Sequence, residues 1–372
     1  MTGIYVHIPF CQSRCIYCDF VSSTLGHEWQ QRYIRALGGE MRARRMENGA
    51  PRARTIYIGG GTPSQLTPDC LRRLFGMLEE NFTFGPDAVF TIEANPDDVT
   101  PQFIALLRES PVNRVSMGIQ STDDAVLRFL RRRHTAGQAL RAIRLLQDAG
   151  LGNLSGDLIY GLPGQTEAMF EKDLETLLGT GIPHLSAYAL QYEQGTALHQ
   201  MLQRGEVPPE DEELSLRCYQ LLMDRTAGHG FLHYEISNFA RPGFHSRHNS
   251  SYWQGLPYLG FGAGAHSYDG RRTRRANTAD IRAYINGAAP EAETLSPDEL
   301  YDERVMLGLR TREGIGLNQL EKDFGPAMLR HLLRQAEPYL ASGKLKKAGE
   351  QLVLTREGLF ISDAIMADLM AD

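Results

Sequence analysis

Short apolar runs alternate with longer amphipathic stretches along the first half of the chain. The apolar runs are rich in β-branched and aromatic residues, which favours strands, and the stretches between them repeat their apolar residues with a helical period. The predicted strands cover residues 3–8, 55–58, 88–93, 112–119, 155–160 and 184–190, and the predicted helices cover 28–47, 68–80, 100–108, two short segments ending at 149, and 167–178. Six strand–helix units in succession indicate a parallel sheet with helical crossovers.

This alternation predicts an α/β fold, a partial (β/α)6 TIM-like barrel over residues 1–240. Six units are fewer than the eight that close a full TIM barrel, so the sheet is expected to stay open. No GxGxxG follows the first strand, and a dinucleotide-binding fold is therefore not indicated. The unusual residues of the chain fall where strands end, which is the edge at which parallel α/β folds build their sites.

The pattern changes twice after the predicted barrel. Residues 241–296 are rich in glycine and aromatic residues, which predicts a loop-rich connecting segment that forms a lid or a pocket wall. Residues 297–372 predict a small winged-helix-like α+β domain, with helices at 297–309, 317–324 and 326–341, a hairpin at 344–354 and a last helix at 356–370. Few basic residues fall on its third helix, so packing or protein contact is expected there and DNA binding is not.

Composition and charge narrow the class of protein. The chain has 372 residues, is 42% hydrophobic and carries a formal net charge of -6, which allows a sizeable core and disfavours nucleic acid as a partner. No apolar run reaches the ~18 residues of a membrane span, and the N-terminus lacks the pattern of a secretion signal. A cytoplasmic protein is predicted, with peripheral membrane contact and the oligomeric state left open.

Three of the five cysteines lie together directly after the first predicted strand. Cys11, Cys15 and Cys18 form a CxxxCxxC motif. Three thiolates on a tight loop can ligate three irons of a [4Fe–4S] cluster, which leaves the fourth iron able to bind a small molecule. The alternative is a structural zinc site, which usually needs a second pair of ligands. Cys70 and Cys218 each stand alone in a helical segment, so the iron–sulfur interpretation is favoured.

This motif, with the aromatic Tyr17 between its last two cysteines, resembles the radical S-adenosylmethionine (SAM) superfamily. The resemblance implies a partial barrel, a [4Fe–4S] cluster, SAM as second cofactor and an electron donor that reduces the cluster. Carboxylates and amides suit the ammonium and hydroxyl groups of SAM, and an arginine suits its carboxylate. The resemblance assigns SAM contacts to Tyr5, Tyr17, Gly60, Gly61, Thr62, Glu93, Gln120, Arg132 and Asp157.

Two of these assignments have simpler structural alternatives. The glycines at 59–61 could form only a tight turn between a strand and a helix. The arginine run 131–133 could form a solvated helix face, and spacing alone leaves open which arginine points inward.

A late motif, HNxxYW, consists of His248, Asn249, Tyr252 and Trp253. It resembles the signature of the haem-chaperone (HemW) branch of the same superfamily, which implies haem as cargo and haem-accepting proteins as partners. A histidine can ligate haem iron and aromatic rings can stack on a porphyrin. The alternative is that these residues only pack the mouth of the barrel. His245 and His266 are near enough in sequence to act as ligands instead.

Two departures separate the chain from the coproporphyrinogen dehydrogenase branch. That branch carries a cysteine two residues after the third cluster ligand, where this chain has Phe20, and an extension before the first strand. The favoured function is therefore a haem chaperone that binds a [4Fe–4S] cluster, SAM and haem. Its rivals are oxidation of coproporphyrinogen III propionates and a non-catalytic sensor in which SAM and the cluster only control conformation.

Overall fold

The structure is a computed structural model that describes residues 2–49 and 51–371. In those residues the strands are β1 (Thr2–Ile8), β2 (Arg52–Gly60), β3 (Thr83–Ala94), β4 (Arg114–Gln120), β5 (Leu154–Tyr160), β6 (His184–Ala189), β7 (Leu232–Glu235), β8 (Asn238–Ala240), β9 (Tyr258–Phe261), β10 (His266–Tyr268), β11 (Thr273–Ala276), β12 (Glu291–Thr294), β13 (Ile315–Gly316), β14 (Leu345–Ala348) and β15 (Gln351–Leu354). The helices are α1 (His27–Asn48), α2 (Pro68–Asn81), α3 (Pro101–Arg108), α4 (Asp124–Phe129), α5 (Ala136–Asp148), α6 (Glu167–Leu178), α7 (Ala197–Gln203), α8 (Glu212–Gly228), α9 (Arg247–Trp253), α10 (Ile281–Ile285), α11 (Pro297–Leu309), α12 (Leu317–Ala341), α13 (Arg356–Leu359) and α14 (Ser362–Leu369).

Strands β1 to β6 form a sheet in which spatial order follows chain order. Each neighbouring pair is parallel, from Tyr5 opposite Tyr57 at one end to Asp157 opposite Ser186 at the other. The sheet does not close on itself, because β1 pairs on its outer side with β9 and β6 pairs with the antiparallel β8. The prediction of a partial, open (β/α)6 barrel is confirmed.

The segment 241–296 contains more regular structure than the predicted loop-rich connection. Strand β9 continues the sheet parallel to β1, and β10, β11 and β12 extend it with antiparallel pairing. A Cβ on Gly260 would lie 1.9 Å from the carbonyl oxygen of His266, so this close approach requires glycine. The pattern missed these strands because they are three or four residues long and almost without β-branched residues. The domain boundaries themselves stay a prediction.

Helices cover the outer face of the sheet, and α5 shows how the sequence places them. Thr135 Oγ1 accepts a hydrogen bond from Gln138 N at 3.2 Å, and Thr135 N donates to the Gln138 side chain at 2.8 Å, which is a capping box. Ile143 and Leu146 lie on the buried face of α5, where each contributes about 2 kcal/mol. None of the helices in the described residues is long and apolar enough to cross a membrane.

The C-terminal residues build a second core around α11, α12 and α14. Strands β13, β15 and β14 form a three-stranded antiparallel sheet, in which the hairpin of β14 and β15 was predicted and the two-residue β13 was not. The helices and the hairpin follow in the predicted winged-helix-like order. Helix α12 bends at Gly325, whose φ of 83° is left-handed, which accounts for the two helices predicted on either side of it. The last predicted helix is instead two, α13 and α14. Arg310 donates to Glu235 at 2.9 Å and links this domain to β7.

Candidate functional site

The carboxyl ends of β1 to β6 surround a cavity of about 400 Å³. The loop that carries the three cysteines forms one side of its mouth. Residues assigned to the cluster and to SAM line the cavity, namely Cys11, Cys15, Cys18, Tyr17, Gly60, Gly61, Thr62, Glu93, Gln120, Arg132 and Asp157. These residues are spread over more than 140 positions of the sequence, from Cys11 to Asp157. The fold brings their side chains together because parallel strands end at the same edge of the sheet.

The cysteine loop is tied to its surroundings by backbone hydrogen bonds on both sides. Ser23 N donates to the Pro9 carbonyl at 2.7 Å, and Cys11 N donates to the Ser23 carbonyl at 2.9 Å. On the other side Thr62 N donates to the Phe10 carbonyl at 2.8 Å. These bonds hold the start of the loop against the end of β2, next to the glycine-rich turn.

The three thiols are free and half-buried at the mouth. Burial raises the pKa of Cys18 to about 11, so an unligated thiol there stays protonated at neutral pH and would exchange its proton for iron. Arg132 Nη1 lies 3.3 Å from the Cys15 sulfur and Thr62 Oγ1 lies 3.4 Å from the Cys11 sulfur, and both donors favour thiolates. Among the described residues, no three cysteine, histidine or acidic side chains converge on a single-ion site. Three thiols spread around a mouth fit an iron–sulfur cluster.

Two glycines allow the end of β2 to pass close to the cysteine loop. Gly60 has a φ of 111°, and a Cβ there would lie 2.5 Å from the His7 ring. A Cβ on Gly61 would lie 3.0 Å from the Cys11 sulfur. The turn interpretation therefore explains these glycines, and the same absence of side chains leaves their backbone on the cavity wall for a ligand.

Two carboxyl groups on the cavity wall have raised pKa values. Burial raises the pKa of Glu93 to about 7, although the Tyr57 hydroxyl donates to it at 2.7 Å and Gly60 N at 3.0 Å. Burial also raises the pKa of Asp157 to about 6, and its Oδ1 has no hydrogen-bond partner in the described chain. An unpaired buried acceptor costs about 1–3 kcal/mol, so this oxygen is available to a donor such as an ammonium or a ribose hydroxyl.

Two of the three consecutive arginines reach the cysteine loop, and Arg133 does so by donating to the Gln12 side chain. Arg132 contacts the Cys15 sulfur. Its Nη2 also donates to the side-chain oxygen of Asn95, the residue that directly follows β3. Arg133 forms ion pairs at 3.0 Å with the two consecutive aspartates that begin at Asp97. Arg131 is exposed and has a φ of 56°. All three arginines line the cavity, and Arg132 is the one of the three whose guanidinium contacts a cysteine sulfur.

The remaining assigned SAM contacts differ in their placement. Gln120 ends β4 with a φ of 68°, where the register of β4 against β5 shifts; backbone of this kind is rare outside glycine and clusters at functional sites. Tyr17 lines the cavity. Tyr5 does not, because its hydroxyl hydrogen-bonds to His7 Nδ1 at 3.0 Å and its ring stacks on Tyr57 with centroids 6.3 Å apart.

The HNxxYW motif forms α9, and its histidine faces the interior. His248 is 1% exposed, with Nδ1 2.9 Å from Thr55 Oγ1 and Nε2 2.8 Å from the Tyr252 hydroxyl. Burial lowers the pKa of His248 to about 3, so the ring is neutral. Both nitrogens are engaged in hydrogen bonds, and neither presents a free lone pair to an incoming iron.

Two of the other motif residues line two different cavities. Asn249 lines the barrel cavity. Trp253 lines a second cavity of about 620 Å³, which we call the α9–α11 cleft because residues of α9, of α11 and of the turn that follows α11 form its walls. The guanidinium of Arg310 lies 4.5 Å from the centre of the Trp253 ring. Asn249 and Trp253 therefore line two different cavities, and the assignment of the motif to haem stays a prediction.

Sequence reasoning missed the polar residues further down each strand. The barrel cavity is also lined by Tyr57, Arg114, Ser116, His184 and Ser186. The sequence signal that could have identified them is the alternation of polar and apolar residues along each strand. Polar residues occupy every second position of these buried strands and therefore face the interior. Arg114 is only 3% exposed, and its Nε has no hydrogen-bond partner among the described residues.

Comparison with protein families matches two parts of the chain. The Radical SAM superfamily model matches residues 5–177, which include the cysteine loop and β1 to β5. The HemN C-terminal domain model matches residues 295–361, which include α11, α12 and the hairpin.

Similar proteins match nearly the whole chain. The protein of Mycobacterium tuberculosis named Heme chaperone HemW is 38% identical over 376 residues, which cover 99% of this chain and 94% of that protein. The Bacillus subtilis protein of the same name is 32% identical over 388 residues and is covered in full by this chain.

One solved structure covers both parts of the fold. The coproporphyrinogen III oxidase HemN of Escherichia coli, described as a radical SAM enzyme, has a TM-score of 0.86 at 22% identity, covering 100% of this chain and 90% of that one. At this level of identity the likeness concerns the fold, meaning the open barrel together with its C-terminal domain.

Proposed function

We propose, since the chain belongs to the HemW family of the radical SAM superfamily, that it is a haem chaperone that holds a [4Fe–4S] cluster and SAM and delivers haem to acceptor proteins in the cytoplasm. The observation that carries this proposal is the end-to-end similarity to proteins named for that function, over the barrel and the C-terminal domain alike. The convergence of three free thiols at the mouth of the barrel supports it independently.

Cys11, Cys15 and Cys18 would hold the cluster. When bound, the cluster supplies one iron without a protein ligand and passes electrons from a donor protein to SAM. Arg132 and Thr62, which already lie next to two of the sulfurs, would stabilise the thiolate form. The loop provides all three ligands from eight residues, and backbone hydrogen bonds tie its start to Ser23 on one side and to Thr62 on the other.

SAM would occupy the barrel cavity beside that loop. Glu93 and Asp157 would accept hydrogen bonds from its ammonium and hydroxyl groups, while Arg132 would face its carboxylate. The backbone at 60–62 and the side chains of Tyr17 and Gln120 would complete the walls. Tyr5 does not line the cavity, so its effect on SAM would be indirect. Its ring would hold the ring of Tyr57, on which it stacks and which does line the cavity.

Haem would bind near α9. The family signature assigns His248, Asn249, Tyr252 and Trp253 to it, and Trp253 faces a cleft with room for a flat ligand. Ligation by His248 would require the ring to leave both of its hydrogen bonds, at a cost of about 1–3 kcal/mol for each polar group left unpaired.

The main rival function is the oxidation of coproporphyrinogen III, which the fold of the HemN structure equally allows. Phe20 argues against it, because this chain has a phenyl ring, 62% exposed at the mouth of the cavity, where that branch has a cysteine. A phenyl ring can neither ligate a metal nor exchange a hydrogen atom as a thiol can.

The deciding experiment is anaerobic reconstitution followed by three parallel assays on one preparation. Haem titration should give a saturable complex with a shifted Soret band, and coproporphyrinogen III should not be converted in the presence of SAM and reductant. A SAM-cleavage assay, with and without haem, distinguishes a turning-over protein from a sensor. Conversion of coproporphyrinogen at the rate of a genuine oxidase run alongside would replace the chaperone proposal with its rival.

A further inference from the structure

His245, which lies outside the HNxxYW motif, differs from His248 in that no hydrogen bond from another described residue holds its ring. Its Nε2 is buried and without a partner among the described residues. The ring instead stacks on Tyr234, with centroids 4.3 Å apart and an interplanar angle of 16°. Tyr234 is itself fixed, because its hydroxyl contacts His184 Nε2 at 2.8 Å and accepts from Ser246 N at 3.2 Å. The His245 ring can therefore turn on its stacking partner without breaking a hydrogen bond.

His245 lines the α9–α11 cleft, one of the two cavities to which α9 contributes residues. The lining is mixed, with polar and charged side chains that include Glu303, Glu313 and Asp323. Its apolar part consists of aromatic and aliphatic side chains that a porphyrin can pack against, and the volume of the cleft is within the usual range of ligand pockets. These side chains come from α9, β10, α11, β13 and α12, and they are Trp253, Tyr268, Leu300, Leu307, Ile315 and Phe324.

The polar groups at the cleft suit the other two parts of a haem, its iron and its propionates. Burial lowers the pKa of His245, so its imidazole is neutral and can offer a lone pair to iron. The Glu313 carboxylate is close enough to oppose that effect, and a carboxylate near a ligating imidazole can orient it. Arg271 is exposed at the same cleft and forms no side-chain ion pair within the described chain. It can meet a propionate, as an arginine meets any carboxylate.

We propose that haem binds in the α9–α11 cleft with His245 as the axial ligand, Trp253 as part of the porphyrin wall and Arg271 at a propionate. This assignment rests on the proposed function and specifies its site. It explains why the motif histidine can be buried and hydrogen-bonded while the protein still carries haem: His248 anchors α9 to β2, and α9 presents Trp253 to the cleft. It also separates the haem site from the SAM cavity by the thickness of one helix.

The test is a haem titration of the reconstituted wild type, His245→Gly, His248→Gln and His266→Ala. His266 is exposed on β10 and is the matched control. We expect His245→Gly to lose the ligand-dependent Soret shift and roughly tenfold or more in haem affinity, and added imidazole to restore the spectrum. His248→Gln and His266→Ala should keep the wild-type spectrum.

A second variant tests the cleft without touching a ligand. Leu307→Trp should fill the cleft and weaken haem binding while SAM affinity and iron content, which report on the barrel cavity, stay unchanged. Loss of the Soret shift in His248→Gln with an unchanged His245→Gly would overturn this site in favour of the motif histidine. A wild type that binds no haem would overturn the proposed function itself, and the two failures are therefore distinguishable.

Discussion

The mouth of the barrel and helix α9 both carry a short, recognisable sequence motif, yet their polar groups are in opposite states. At the mouth, three thiols are free and Asp157 has an oxygen without a partner. On α9, His248 is the centre of a closed network, with Thr55 on one nitrogen and Tyr252 on the other. The first region has an unpaired carboxylate oxygen that a ligand could engage, whereas both ring nitrogens of His248 already have partners.

A sequence motif therefore predicts where a functional feature lies. Whether its buried polar groups have hydrogen-bond partners indicates if the feature binds a ligand or stabilises the fold. Buried polar groups are nearly always paired in proteins, so an unpaired one points to a ligand and a doubly paired one points to structure. By that criterion Asp157 is a candidate ligand-binding residue, and His248 is an anchor for α9. His245 fits the first class, although no family motif includes it.

The largest expected effect is the loss of the cluster on replacing one of its thiols. Cys15→Ala should reduce iron from about four per reconstituted chain to near the background, because the cluster depends on each of three protein ligands. Iron and sulfide analysis with the visible spectrum measures this. Cys218→Ala is the control, since Cys218 is buried within α8 away from the mouth. Full iron content in Cys15→Ala would show that this thiol at the barrel mouth does not ligate the cluster.

The next effect is on stability and concerns the closed network. His248→Ala should lower the free energy of unfolding by about 2–4 kcal/mol, because it leaves a cavity and strands the Thr55 and Tyr252 hydroxyls. His266→Ala, on the surface, should change it by less than about 0.5 kcal/mol. Denaturant titration of the cluster-free proteins provides both values. Equal denaturation midpoints for His248→Ala and His266→Ala would show that His248 does not anchor α9.

A smaller effect is expected at the unpaired carboxylate. Asp157→Ala and Glu93→Ala should each weaken SAM binding by about 1–3 kcal/mol while leaving iron content intact, since each removes a hydrogen-bond acceptor of the ligand and not of the metal. Equilibrium binding to reconstituted protein measures it, with the surface variant Asp224→Ala as control. Unchanged SAM affinity in both variants would mean that the ligand lies elsewhere in the cavity.

The smallest effect is on pH dependence. With the pKa of Glu93 at about 7 and that of Asp157 at about 6, SAM affinity should rise between pH 6 and pH 8 as both acceptors ionise. The free energy of unfolding of the ligand-free protein should instead fall as pH rises, because a raised carboxyl pKa contributes stability at low pH that is lost as pH rises through that pKa. Glu93→Gln should flatten both profiles. Calorimetric binding and denaturant titration over this range test the two signs.

The order of strands and helices could be predicted from the sequence because it depends on local pattern. Alternation and helical period are carried by neighbouring residues, and so are the CxxxCxxC loop and the glycine turn after β2. The short strands β9 to β12 could not be predicted, since they are stabilised by pairing with β1 and with one another and not by their own composition. The paired helices on either side of Gly325 were visible, but their bend was not.

For the candidate site, the sequence by itself determined which residue types stand at the ends of the strands, and so the chemistry that the barrel mouth can perform. Tertiary structure alone decided which of them meet and which remain unpaired. Arg132 reaches Cys15 while Arg133 is taken by aspartates, and His248 is tied to Thr55 across 193 positions of sequence. Pairing over such distances depends on how the sheet brings β2 against α9, and neighbouring residues carry no information about it.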